Sequence, residues 1–103
     1  MQRHGIAATY GCTLTNNSAY NNGNVGIHGG NGGTVTDNTA YGNEGTGIAG
    51  TLGCLISRNS VRNNLGNGIY AGHNCTVTLN NCYNNGLNDS EGAGIQAGSK
   101  NRI

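Results

Sequence analysis

The chain has no proline, tryptophan or phenylalanine and a single methionine, and hydrophobic residues fill only 34% of its 103 positions. A conventional core of large apolar side chains is thereby excluded. Charge is scarce too. Five Lys or Arg against four Asp or Glu leave a formal net charge of +1, with no basic stripe of the kind nucleic acid requires and nothing to draw the chain to a membrane surface. The opening Met1-Gln2-Arg3-His4 runs directly into Gly5 without a basic segment followed by an apolar run, so no signal peptide or transmembrane helix is expected in it. Cys-x-x-Cys pairs and His-x-x-x-His spacings are missing as well, and His4, His28 and His73 do not converge, so neither a metal nor another cofactor is expected.

What the sequence does have is 20 Gly and 19 Asn. Without a period, such a mixture reads as low complexity. Here there is one: Gly-Ile recurs at Gly5-Ile6, Gly26-Ile27, Gly47-Ile48, Gly68-Ile69 and Gly94-Ile95, at intervals of 21, 21, 21 and 26 residues. With each Gly counted as column 1, column 10 is aliphatic in every copy, as Leu14, Val35, Ile56, Val77 and Ile103. Column 13 is Asn17, Asn38, Asn59 and Asn80, and column 18 is Asn22, Asn43, Asn64 and Asn85. Column 15 holds Ala19, Ala40, Val61 and Cys82, and column 4 is always Ala or Gly. Small or apolar columns fall in pairs two apart (2 and 4, 8 and 10, 13 and 15), which is the period of a strand and predicts three short strands per copy.

One copy can bury its inward columns only against its neighbours, so the copies must stack at the strand spacing of roughly 4.8 Å into a solenoid about 20 to 25 Å long. The Asn of column 13 suits a left-handed turn between strands, and its amide can bond the same amide one coil away, giving a buried but satisfied ladder. The copy starting at Gly94 stops at Ile103 and nothing before Gly5 reads as a cap. Both ends are therefore expected to be cut, with association into a homo-oligomer through uncapped ends or edges.

The recurring Gly-Ile, the aliphatic column 10 and the Asn column 13 resemble the parallel β-helix repeats of the pectate-lyase-like superfamily. Leucine-rich repeats share the spacing of Leu14-x-x-Asn17-x-Ala19 but need a Leu-rich second half where this chain has Tyr20-Asn21-Asn22-Gly23, and the six-residue period of left-handed β-helices is absent. The expected fold is all-β: a right-handed parallel β-helix solenoid of about 21 residues per coil, in one domain over residues 1–103, with coils starting at 5, 26, 47, 68 and 94, the fifth partial. The resemblance also implies an extracellular or cell-surface location. It further implies that lyases and hydrolases of this fold act on polysaccharides along the outer face of the first sheet and its adjoining loops.

Column 8 gathers Cys12, Cys54 and Cys75, with Gly33 and Asn101 in the other copies. Cys12 and Cys54 lie two coils apart, beyond the roughly 7 Å reach of a disulfide, and the stacked Cys54 and Cys75 point the same way, so free buried thiols are expected. Cys82, in inward column 15, is read likewise.

Four surface features are candidates for function. Column 3 of the first sheet points Ala7, His28, Ala49, Tyr70 and Gln96 outward. Five extra residues within 86–92 predict a protruding loop leaning over that column and carrying Asp89 and Glu91, which offer an acid and base pair or a calcium site only if they oppose each other. Column 16 holds Tyr20, Tyr41 and Tyr83, with Arg62 in the third copy; beside the Asn of column 18, these rings either stack on sugars or pack on one another. The second strand shows Thr13 and Thr15, Thr34 and Thr36, Thr76 and Thr78, a Thr-x-Thr array like the ice-binding face of some antifreeze solenoids, though Leu55 and Ser57 interrupt it. Column 3 carries no carboxylate, and Thr also favours strands for its own sake. The leading expectation is a non-catalytic repeat module contacting a polysaccharide or serving as a scaffold, the alternatives being a lyase or hydrolase fragment and an ice-binding face.

Overall fold

A computed structural model describes residues 5–86 and 94–101. Among them are thirteen strands and no helix: β1 (Ile6–Ala7), β2 (Thr13–Thr15), β3 (Ser18–Tyr20), β4 (Ile27–His28), β5 (Thr34–Thr36), β6 (Thr39–Tyr41), β7 (Ile48–Leu52), β8 (Leu55–Ser57), β9 (Ser60–Arg62), β10 (Ile69–His73), β11 (Thr76–Thr78), β12 (Asn81–Tyr83) and β13 (Ile95–Ala97). They stack as three sheets, ordered β1-β4-β7-β10-β13, β2-β5-β8-β11 and β3-β6-β9-β12, with every pairing parallel. Ile6 pairs with Ile27, Ile27 with Ile48, Ile48 with Ile69 and Ile69 with Ile95, so the register follows the repeat through its longer last interval. This is the expected solenoid.

The interior is a set of files, one residue thick. Ile27, Ile48 and Ile69 are fully buried, as are Val35, Ile56, Ala40 and Val61. Each buried Ile or Val contributes about 1.5 to 3 kcal/mol, but only with neighbours above and below; Ile6, Leu14 and Ile95, in the outer coils, are partly buried.

Three corners per coil turn the chain, each on a residue of positive φ. The first corner uses Gly11, Gly32, Gly53, Asn74 and Lys100, the second Asn16, Asp37, Arg58 and Leu79, the third Asn21, Gly42, Asn63 and Asn84, all with φ between 55° and 65°. The left-handed residue is thus the one before each ladder Asn, which corrects the expectation that column 13 itself turns. The left-handed conformation is costly for Arg58 and Leu79. It redirects the chain so that the following side chain enters the core, where it finds hydrogen bonds.

Asn43 shows how. Its Oδ1 accepts from both the backbone N–H (3.2 Å) and the Nδ2 (2.9 Å) of Asn22, and its Nδ2 donates to Asn64 Oδ1 (2.9 Å) and to the carbonyl of Ala19 (3.2 Å). Asn64 continues to Asn85, and the column-13 file from Asn17 through Asn38 and Asn59 to Asn80 repeats the pattern. The glycine of column 1 makes room for it: a Cβ on Gly26 would lie 2.6 Å from Asn43 Nδ2, and one on Gly47 2.7 Å from Asn64 Nδ2. No buried side-chain nitrogen or oxygen among the described residues lacks a partner.

Candidate functional site

The first corner has a ladder of its own, built from sulfur. The Cys54 backbone N–H donates to Cys75 Sγ (3.4 Å), Cys54 Sγ donates to the Gly30 carbonyl (3.0 Å), and in the last coil Asn101 takes the same place, accepting from the Cys75 N–H (2.7 Å) and donating to Gly72 O (3.0 Å). The column-8 thiols therefore do the work of asparagine. All four cysteines are unpaired, with Cys54 and Cys75 buried. Burial pushes the Cys75 and Cys82 thiols above the ordinary cysteine range. These are structural groups, not nucleophiles.

On the third sheet, Tyr20 and Tyr41 lie 5.0 Å apart at an interplanar angle of 10°, and the Arg62 guanidinium sits 4.5 Å from the Tyr41 centroid. Because the register places Tyr41 between Tyr20 and Arg62, both faces of its ring are covered. Tyr83 pairs with Arg62 in the next coil and stays exposed. The flanking column-18 side chains are interior: Asn43 and Asn64 are fully buried and Asn22 nearly so. They do not stand beside the tyrosines to meet a sugar. Four residues earlier in each coil, Arg58 clasps Asp37 through Nε and Nη2 at 3.2 and 3.3 Å, an exposed pair that raises the Arg58 pKa through the hydrogen bond first and the charge second.

The second sheet aligns Thr13, Thr34, Leu55 and Thr76 in one file and Thr15, Thr36, Ser57 and Thr78 in the other. In the second file Thr36 and Ser57 are only 9% and 4% exposed, while in the first Leu55 stands out at 38%. The Thr-x-Thr array is thus broken in both files: Thr34 and Thr76 are half-buried in the first, and only Thr15 and Thr78 are exposed in the second.

On the first sheet, His28, Ala49, Tyr70 and Gln96 fall into one file by register, in which Tyr70 and Gln96 are exposed and His28 is half-buried, while Ala49, expected to point outward, is buried. Gln96 Oε1 accepts from Asn67 Nδ2 (2.6 Å), Tyr70 is 38% exposed, and His28 Nδ1 accepts from the Gly30 N–H (3.1 Å). Beside His28 lies an open hollow of about 290 Å³ lined by Ala8, Thr9, Tyr10, His28, Gly30, Asn31 and Thr51. Tyr10 is 75% exposed and is bridged to Asn31, which is bridged in turn to Leu52, as column 6 of successive coils. Sequence reasoning passes over Tyr10 because column 6 holds no recurring residue type. The variability of that column (Tyr10, Asn31, Leu52, His73, Ser99) is the signal that it faces out.

The described carboxylates, Asp37 and Glu44, follow β5 and β6 and lie off the first sheet. Asp89 and Glu91, and the loop expected to lean over column 3, lie outside the described residues. His73 Nδ1 accepts from the Ser99 N–H (3.1 Å) and lies 2.8 Å from Ser99 Oγ. No described carboxylate completes that pair into a triad, and no cluster of three metal-ligating side chains occurs among the described residues.

A family model for the right-handed β-helix region matches residues 1–103. The chain belongs to that family. The parallel register, three-sheet coil and Asn ladders of this right-handed β-helix agree with the match. The chain matches no curated protein and no solved structure.

Proposed function

We propose that this β-helix is a non-catalytic module that contacts carbohydrate on the outer face of its first sheet. The supporting observation is the hollow beside His28, where the exposed ring of Tyr10 stands next to the polar groups of Asn31, Thr51 and His28. One flat apolar surface with a few convergent polar groups is what a sugar ring needs, since its axial C–H groups lie on an aromatic face while its hydroxyls seek partners. Thr51 donates its hydroxyl to Gly30 O (2.9 Å), which leaves the oxygen turned into an acceptor. The tyrosine ladder of the third sheet is a poorer contact, because Tyr41 has no free ring face, and its stacking suits stiffening of the coil.

A glycan array followed by titration of the best ligand tests this reading. Tyr10→Ala is expected to weaken binding about tenfold, near 1.4 kcal/mol, with an unchanged urea midpoint because the side chain is largely solvated. Unchanged affinity in that variant would overturn the assignment of the face. Release of unsaturated or reducing-end products from pectin, alginate or xylan would replace the non-catalytic reading with the lyase or hydrolase one, to be traced through Asp89 and Glu91.

A further inference from the structure

The first-sheet face differs from the rest of the molecule in charge. Columns 1 to 6 of the five coils, residues 5–10, 26–31, 47–52, 68–73 and 94–99, contain no Lys, Arg, Asp or Glu. The chain has nine such residues, and every one lies elsewhere: Asp37, Arg58, Arg62 and Glu44 around the second and third sheets, Lys100 at the following corner, and Arg3, Asp89, Glu91 and Arg102 outside the described residues. Asp37 and Arg58 neutralise each other, and Arg62 is turned onto Tyr41. Among the described residues, the face that holds the hollow therefore carries no Lys, Arg, Asp or Glu side chain.

Building on the carbohydrate reading above, we infer that the ligand of this face is a neutral polysaccharide, rich in hydroxyls and without uronate, sulfate or phosphate groups. An anionic sugar brought onto the sheet loses water from its carboxylate, and that loss is compensated only by a cation or several N–H donors held in place. Among its described residues the face provides neither an Arg nor a Lys, and most backbone N–H groups of its inner strands are engaged in the parallel ladder. A neutral sugar makes no such demand: the side-chain amide of Asn31 and the hydroxyl oxygen of Thr51 match alcohol groups, and Tyr10 covers the C–H face. With no ion pair involved, affinity is also expected to be indifferent to salt.

The test compares a neutral oligosaccharide with an oligogalacturonate of the same length by calorimetry on the whole chain. We expect the neutral ligand to bind at least about tenfold tighter, with an affinity steady between low and physiological salt, where screening of exposed charges takes full effect. Asn31→Lys, which places one cation in the hollow, is expected to narrow that preference. An oligogalacturonate that binds equally well or better to the unaltered chain overturns the inference and leaves the carbohydrate reading standing. Failure of every neutral and anionic glycan to bind overturns both.

Discussion

Asn43 condenses the stability argument into one side chain. Its amide oxygen satisfies a backbone N–H and a side-chain N–H of the coil before, and its amide nitrogen satisfies a carbonyl of that coil and the next amide along. Asn43→Ala strands these buried groups together, and unsatisfied buried donors cost about 1 to 3 kcal/mol each. We expect a loss of about 3 kcal/mol or more in urea denaturation. Asn43→Asp, the same shape without a donor, is expected to be nearly as damaging. Column 8 predicts the opposite for a less conservative change. Since Asn101 already stands where three of the other coils have cysteine, Cys75→Asn is expected to keep stability within about 1 kcal/mol of the parent, whereas Cys75→Ala takes away the acceptor for the Cys54 N–H.

At the scale of the strand and corner, glycine serves two ends that substitution separates. Gly47 is required for space: a Cβ there would sit 2.5 Å from Val61 Cγ1 and 2.9 Å from Gly68 O, so Gly47→Ala is expected to lower the thermal midpoint sharply. Gly53 is required only for its backbone, with φ of +65° and nothing within 4 Å of a Cβ. Asn74 occupies the same corner one coil on with φ of 56°, so Gly53→Asn is expected to shift the midpoint little and Gly53→Val to shift it clearly. The corners also explain what the sequence makes legible. Columns 2, 10 and 15 lie within strands among the described residues, and column 4 within or just past one, where alternation holds, and their inward placement is readable from the period alone. Each left-handed corner resets that alternation by one residue, so Asn22, Asn43, Asn64 and Asn85 turn inward where simple counting leaves them beside the outward tyrosines. The same reset is why the turning residues are Asn16, Asp37, Arg58 and Leu79, whose unlike chemistry hides their shared role.

For the molecule as a whole, the sequence's poverty in large apolar side chains and in charge has one physical consequence: cohesion comes from files of identical residues and from satisfied amides rather than from ion pairs. Salt is therefore expected to leave unfolding almost unchanged, as Asp37 and Arg58 form an exposed pair. Alkali is not. The folded chain holds the protons of Cys75 and Cys82 more tightly than the unfolded chain, because burial raises both thiols. Their contribution is complete below the ordinary thiol pKa and is lost as pH climbs through the raised folded values. Urea midpoints are expected to decline above about pH 8.5, the ordinary thiol value, and to decline less in Cys75→Asn.

The candidate site was legible in part: His28, Tyr70 and Gln96 share the file that column 3 predicts, but Tyr10 and the hollow beside it depend on how two isolated bridges, Tyr10 to Asn31 and Asn31 to Leu52, carry the chain toward the corner. The central claim, a β-helix that presents its uncharged first sheet to carbohydrate, is tested most directly by amide NMR on titration with a neutral oligosaccharide. The account predicts that shifts concentrate at Tyr10, His28, Asn31 and Thr51 while the second-sheet residues Thr34 and Thr76 and the ladder residues Tyr20 and Tyr41 stay still. Shifts confined to the tyrosine ladder or to the threonine row would contradict it.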